Sequence, residues 1–156
     1  MSASLGRKIQ LRLDEPGLTR AMLAPLIART GEQELPVMET AAACSMLHSF
    51  YTEIEQIFKV IALDFDQHLP ESDAWRRDLL SQMSIATAAR PAVVSRDLVP
   101  RLSELLAFRH LFRGASIALM RWNKLAPLVV TVSDVHDQVV REITDFQRFL
   151  TTVTTR

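Results

Sequence analysis

Apolar residues recur at steps of four and three through the middle of the chain: Met46, Phe50, Ile54, Ile57, Ile61 and Phe65. This spacing draws one stripe along a long helix from about Pro36 to Gln67. Pro36 falls in the first turn, where its missing N–H costs nothing. Pro70 closes the segment, because the residue before a proline disfavours the α region. His48, Thr52, Glu55 and Lys59 form a polar face on the same helix.

Upstream, the pattern predicts a helix from about Leu18 to Thr30, ended by Gly31, with Pro25 marking a kink or a late start. Residues 1–17 read as an irregular segment, in which Ile9, Leu11 and Leu13 alternate with polar residues as either a short strand or a ragged helix start. Downstream, Ser72 is a candidate N-cap for a third helix through Trp75, Leu79, Leu80 and Met83. Ala86 to Val94, with Arg90-Pro91, reads as a loop. Ser95 or Asp97 can cap a fourth helix running to about Arg121, with the stripe Leu98, Leu102, Leu105, Phe108, Phe112, Ala115 and Leu119. Ser133 is a candidate cap for a last helix to Val153, facing inward through Val135, Val139, Ile143, Phe146 and Leu150. With no internal repeat and no sign of a second domain, residues 1–156 read as one all-α domain, a four- to five-helix up-down bundle.

Composition supports a single globular domain: 156 residues, 48% hydrophobic and 23% charged, enough to bury about 70% of the unfolded surface. Eighteen basic residues balance eighteen acidic ones, so any polyanion binding has to come from a local cluster. The cations are 15 Arg and 3 Lys. This excess reads either as genomic base composition or as phosphate recognition by the guanidinium fork. One cysteine, Cys44, allows no intrachain disulfide, and four separated histidines give no zinc spacing, so no metal or other cofactor is expected. A cytoplasmic setting fits, and no apolar run reaches the ~20 residues of a membrane span.

The chemistry concentrates in LLAFRHLFRGAS, residues 105–116. Leu102, Leu106, Arg109, Arg113 and Ser116 share one face at helical spacing, and His110 lies three residues before Arg113. Two guanidiniums beside an imidazole suit a polyanion: the arginines hold phosphate and the histidine moves a proton near neutral pH. The same arginines could instead cover apolar surface and pair with acids of another helix, Glu53 or Glu55. Gly114 in mid-helix implies close packing or a bend. Other groupings are weaker. Cys44 and His48 are one turn apart with no third group. Glu53 and Glu55 diverge around the helix, as do Asp64 and Asp66. His68 sits at a helix end, and Trp75 and Trp122 read as packing anchors.

Four stretches together, LHSFYTEIEQIFKVIA (47–62), LPESDAWRRDLLSQM (69–83), ARPAVVS (89–95) and LLAFRHLFRGAS (105–116), resemble the HepT-like family of the HEPN group of helical ribonuclease toxins. The resemblance spans about residues 18–150. It implies a homodimer whose two motifs form one cleft that cleaves RNA without a metal, and a small nucleotidyltransferase antitoxin as partner. The family's active-site pattern is Arg, four residues, His, one residue, Tyr. On this chain its positions fall on Arg109, Gly114 and Ser116, so the arginine is kept while the histidine and tyrosine are replaced. The resemblance therefore implies RNA binding by Arg109 and Arg113, with ribonuclease activity weak or lost. The alternative is a non-catalytic helical module for protein–protein interaction. His110 is the substitute base on the same helix. It lies about 100° around the axis from Arg109, where position 114 lies about 140° around and four residues further along.

Overall fold

The computed structural model describes residues 2–154, and among them every regular element is helical. The elements are α1 (Ser2–Ile27), α2 (Val37–Ile61), α3 (Trp75–Met83), α4 (Leu98–Gly114), α5 (Trp122–Val129) and α6 (Val132–Thr154). The contacts between helices set an up-down order. Thr19 meets Glu53 while Arg29 meets Glu39, so α1 and α2 are antiparallel. Gln147 bonds the carbonyl of Gly6 and Arg20 bonds Asp137, so α6 runs antiparallel to α1. Arg109 meets Thr52 and Phe112 meets His48, so α4 runs antiparallel to α2.

The central helix follows the apolar stripe closely. Phe50, Ile54, Ile57 and Ile61 are fully buried, while Met46 and Phe65 pack partly buried against the core. After Ile61 the helix widens into a π-turn, Ala62–Asp66, and stops at Gln67 in the left-handed region with φ 54°. A π-turn shifts the residues after it around the helix. Asp64 meets Lys8 of α1 and Asp66 meets Arg90, so these carboxylates do diverge.

The N-terminal segment departs from the expectation of irregular chain. Residues 2–27 are one helix despite Pro16 and Pro25, each of which removes one backbone bond. Leu5, Ile9, Leu13, Leu23 and Leu26 form its buried face against α2 and α6, whereas Leu11 is 71% exposed. Tertiary burial on a helical spacing overrides the local alternation.

The fourth helix is shorter than its stripe suggests. It ends at Gly114; Ala115 is extended, and a single 3₁₀ turn, Ile117–Leu119, follows. Leu119 is 73% exposed, so the continuation of the stripe is fortuitous. Gly114 lies at the helix end, and a Cβ added there meets nothing within 4 Å, so close packing does not explain it. Of the two candidate caps, Ser95 serves: its hydroxyl accepts the Leu98 N–H. Ser72 does not cap through its side chain, which donates to Asp78 at 2.6 Å. Ser133 lies inside α6, whose first turn is closed by the carbonyl of Thr131 accepting from Val135. The short α5, absent from the helical pattern, buries Trp122 completely, and the indole N–H donates to the Arg29 carbonyl.

Candidate phosphate-binding groove

The polar face of α2 is an interior wall. Glu55 is 1% exposed and faces Arg76 of α3 across an ion pair of 3.3 Å that lacks hydrogen-bond alignment. Thr52 donates its hydroxyl to the His48 carbonyl and accepts Arg109 Nε at 3.1 Å. The His48 ring packs on Phe112 with centroids 5.6 Å apart. Lys59 and Arg76 both approach the face of Trp75, the guanidinium at 4.2 Å, so Trp75 anchors the cations of this wall.

Arg109 is the centre of the arrangement. It is 8% exposed, and its hydrogen bond is to a neutral hydroxyl. A guanidinium carries five donors; the terminal nitrogens of Arg109 have no hydrogen-bond partner among the described residues. They open on a groove of about 460 Å³ between α3 and α4, which Arg76, Arg77, His110 and Arg113 also line, with Asp73 at its edge. The N-terminus of α3, without a side-chain cap, meets the groove at Ala74 and adds the positive end of its dipole.

The electrostatics follow from burial and from crowded cations. Burial and the charge of Arg76 push the Arg109 pKa down, and Glu55 opposes this. Burial pushes the Glu55 carboxyl above its ordinary value, although Arg76, Arg109 and Lys59 pull it back. His48 is pushed below the ordinary histidine value by burial and by Arg109, Arg113 and Arg76. The Tyr51 hydroxyl, buried and without a hydrogen-bond partner, is raised by burial and by Glu55. Among the described residues, Glu55 and Asp73 are the acids set against Arg76, Arg77, Arg109 and Arg113, so positive charge is in excess at the groove.

Of the residues singled out in the sequence, Arg109, His110 and Arg113 come together on the groove, the last two on its exposed rim. Ser116 does not share a helical face with them: α4 ends at Gly114, the chain turns extended at Ala115, and the Ser116 hydroxyl accepts the Ala118 N–H of the 3₁₀ turn. Glu53 faces away toward Thr19, which leaves Glu55 as the acid near Arg109. Cys44 is fully buried, and burial raises its thiol. Arg76 and Arg77 escaped the sequence reading, and Thr52 was read only as part of a polar face. Their signals were the Arg-Arg pair after Trp75 and a polar face that other helices cover.

Residues 42–150 match the HepT-like protein family. This span is more than half of the chain and holds every residue of the groove. The chain belongs to the HepT-like family. No curated protein sequence matches it, and no solved structure does. In this HepT-like protein the matched segment begins inside α2, so α1 lies outside it. Among the described residues, no helix is long and apolar enough to cross a membrane, and no cluster of His, Cys, Asp or Glu could hold a metal ion.

Proposed function

We propose that this HepT-like protein is a toxin-type RNA-binding protein that takes a single strand into the α3–α4 groove. One observation carries the reading. Arg109 is almost entirely buried, yet the tip of its guanidinium has no protein acceptor and faces a groove with three more arginines. Donors held in place by a buried stem and open on the groove are set to receive an anion, and a phosphodiester fits the fork. Arg109 and Arg113 hold the phosphate, and His110 borders it. Cleavage is slow or lost, since position 114 offers no side chain and position 116 is a serine engaged in its own turn.

The test is binding of a fluorescent single-stranded RNA as salt is varied. Arg109→Ala and Arg113→Ala should each weaken binding and flatten the salt slope by roughly 0.7. Affinity equal to wild type at low and moderate salt overturns the reading.

A homodimer and a small nucleotidyltransferase antitoxin belong to the same proposal. Leu111, Ile117 and Leu119, 58%, 42% and 73% exposed, lie at the end of α4 beside the basic rim. A self-complementary contact there would join two grooves into one. Light scattering should give twice the chain mass; a monomer at micromolar concentration counts against it. The same exposed apolar residues favour a second reading, a non-catalytic helical module that binds a partner protein. Stable co-purification with the product of an adjacent nucleotidyltransferase gene, without RNA binding, selects that reading.

A further inference from the structure

We propose that the outer face of α1 docks against the same face of a second copy of this chain, the two helices antiparallel about a two-fold axis through Leu11. This contact is separate from the one at the end of α4 that the RNA-binding reading uses, and neither depends on the other.

The inner side of α1 is spent on the bundle: Leu5, Ile9, Leu13 and Leu23 are buried, and the helix packs on α2 and α6. The opposite side is exposed, yet it carries Leu11, Leu18 and Met22. Spacings of seven and four put these three on one stripe. The charges beside the stripe are sorted by sign. Arg7 and Lys8 precede Leu11, Asp14 and Glu15 follow it, and all four are exposed. Among the described residues, Arg7, Asp14 and Glu15 form no ion pair, whereas Lys8 meets Asp64. Burial and the nearby charge of Glu15 raise the Glu53 carboxyl, a repulsion that a cation from another chain would offset. The family match begins at residue 42, so this face lies wholly outside it.

The sorting of charge selects the partner, its direction and its register. A two-fold axis through Leu11 sets each residue n places before Leu11 against the residue n places after it in the second copy. At the helical spacings of three, four and seven, Lys8 meets Asp14, Arg7 meets Glu15 and Ser4 lies under Leu18, each pair occurring twice. Leu11 meets itself at the centre. Parallel helices in register would set Arg7 on Arg7 and Glu15 on Glu15, which costs affinity. An axis through Leu18 would set Asp14 on Met22 and Glu15 on Ala21. The overlap runs from Ser2 to Arg20, about 28 Å of a single helix side. So small an interface associates weakly. It adds to a tighter dimer through another face, and two such faces on one chain build an assembly larger than a dimer.

The experiment follows the mass of the full chain by light scattering from about 1 μM to about 1 mM, the range in which small interfaces associate. The wild-type mass should climb toward twice its micromolar value. Arg7→Glu and Glu15→Arg, both exposed changes, should each weaken this step by roughly tenfold or more, because each sets like charges together twice. The double variant Arg7→Glu with Glu15→Arg should restore it. A short bismaleimide should link Leu11→Cys chains in pairs, since the native Cys44 is buried. It should not link Leu18→Cys chains, whose two thiols would stand about 21 Å apart along the pair. Ser4→Cys combined with Leu18→Cys should link again. A wild-type mass that stays constant to about 1 mM overturns the proposal, and so do charge-reversed variants that match wild type or a double variant that stays dissociated. Linking of Leu18→Cys as readily as Leu11→Cys overturns the register and with it the proposal. Capture of a different protein by the α1 face, with no rise in mass, assigns the face to that protein and overturns self-docking. Loss of the micromolar dimer in Leu119→Glu, with the second step retained, bears on the α4 contact alone.

Discussion

Arg90 and Arg109 are both buried arginines, 3% and 8% exposed, and they spend their charge in opposite ways. Arg90 grips Asp66 with two bonds, at 2.6 and 2.7 Å, and donates also to the carbonyls of Ile85, Pro91 and Gln82. Every part of that guanidinium has an acceptor, and the group ties the loop before α4 to the π-turn after α2. Arg109 has one neutral acceptor and an open side. Burial does not distinguish a structural arginine from one that binds a ligand. The inventory of donors and acceptors does.

The comparison is broken most directly by removing each side chain. Arg90→Met should cost about 3–5 kcal/mol, because it strands Asp66 in a largely buried site. Arg109→Met should cost about 1 kcal/mol, the worth of one hydrogen bond, while Glu55 keeps Arg76. Urea denaturation measures both, and equal losses would show that Arg109 is a staple too.

Acidity sharpens the contrast. Burial alone would raise the Asp66 carboxyl, but hydrogen bonds from Arg90 and Gln82 hold it below the ordinary range. Its folded pKa is depressed, so its stabilisation is present above the unfolded value and is lost as pH falls through the folded one. Glu55 is shifted the other way. Its folded form binds a proton more readily, so its contribution is full below the unfolded value and is lost as pH rises through the raised value. Thermal unfolding followed from pH 7 downward should therefore show Glu55→Gln reducing the gain in stability on mild acidification. Asp66→Asn should instead remove the loss at the acid extreme. Identical pH profiles for the two variants would show that the two carboxyl groups are not shifted in opposite directions.

The smallest effect is expected at Gly114. It is exposed, its φ is not positive, and an added Cβ meets nothing. Gly114→His should fold and gain no more than about 1 kcal/mol. If the groove awaits only a base on α4, cleavage rises. If cleavage does not change in the folded variant, the groove lacks more than a base on α4.

Much of the bundle was legible because α2 and α6 carry uninterrupted apolar stripes. Proline and glycine also mark the ends of several segments. The N-terminal helix was obscured by Leu11, Leu18 and Met22, apolar residues that face outward at 71%, 67% and 64% exposure and so blur the helical period. The end of α4 was obscured for the opposite reason, since Ala115 and Leu119 continue the right spacing after the helix has stopped. In the groove, the arginines of α4 were visible as one face. What made them a site was not visible: Thr52 turned inward to meet Arg109, and Arg76 came from a different helix. A single sequence shows which residues share a helix face, and it leaves open which faces meet.

The docking of α1 has a consequence for the order in which the chain assembles. Leu5, Ile9 and Leu13 lie between α2 and α6, with Lys8 reaching Asp64 and Gln147 reaching Gly6. During synthesis α1 can close onto α2 early, since only a short connection separates them. Its other flank must wait until α6, made more than a hundred residues later, leaves the ribosome. The nascent chain thus carries a half-covered apolar helix through most of its elongation, a period in which exposed leucines favour chaperone capture or self-association. Closing that seam is a contact of very high sequence separation, the kind that slows folding, and it gives α6 the task of sealing α1.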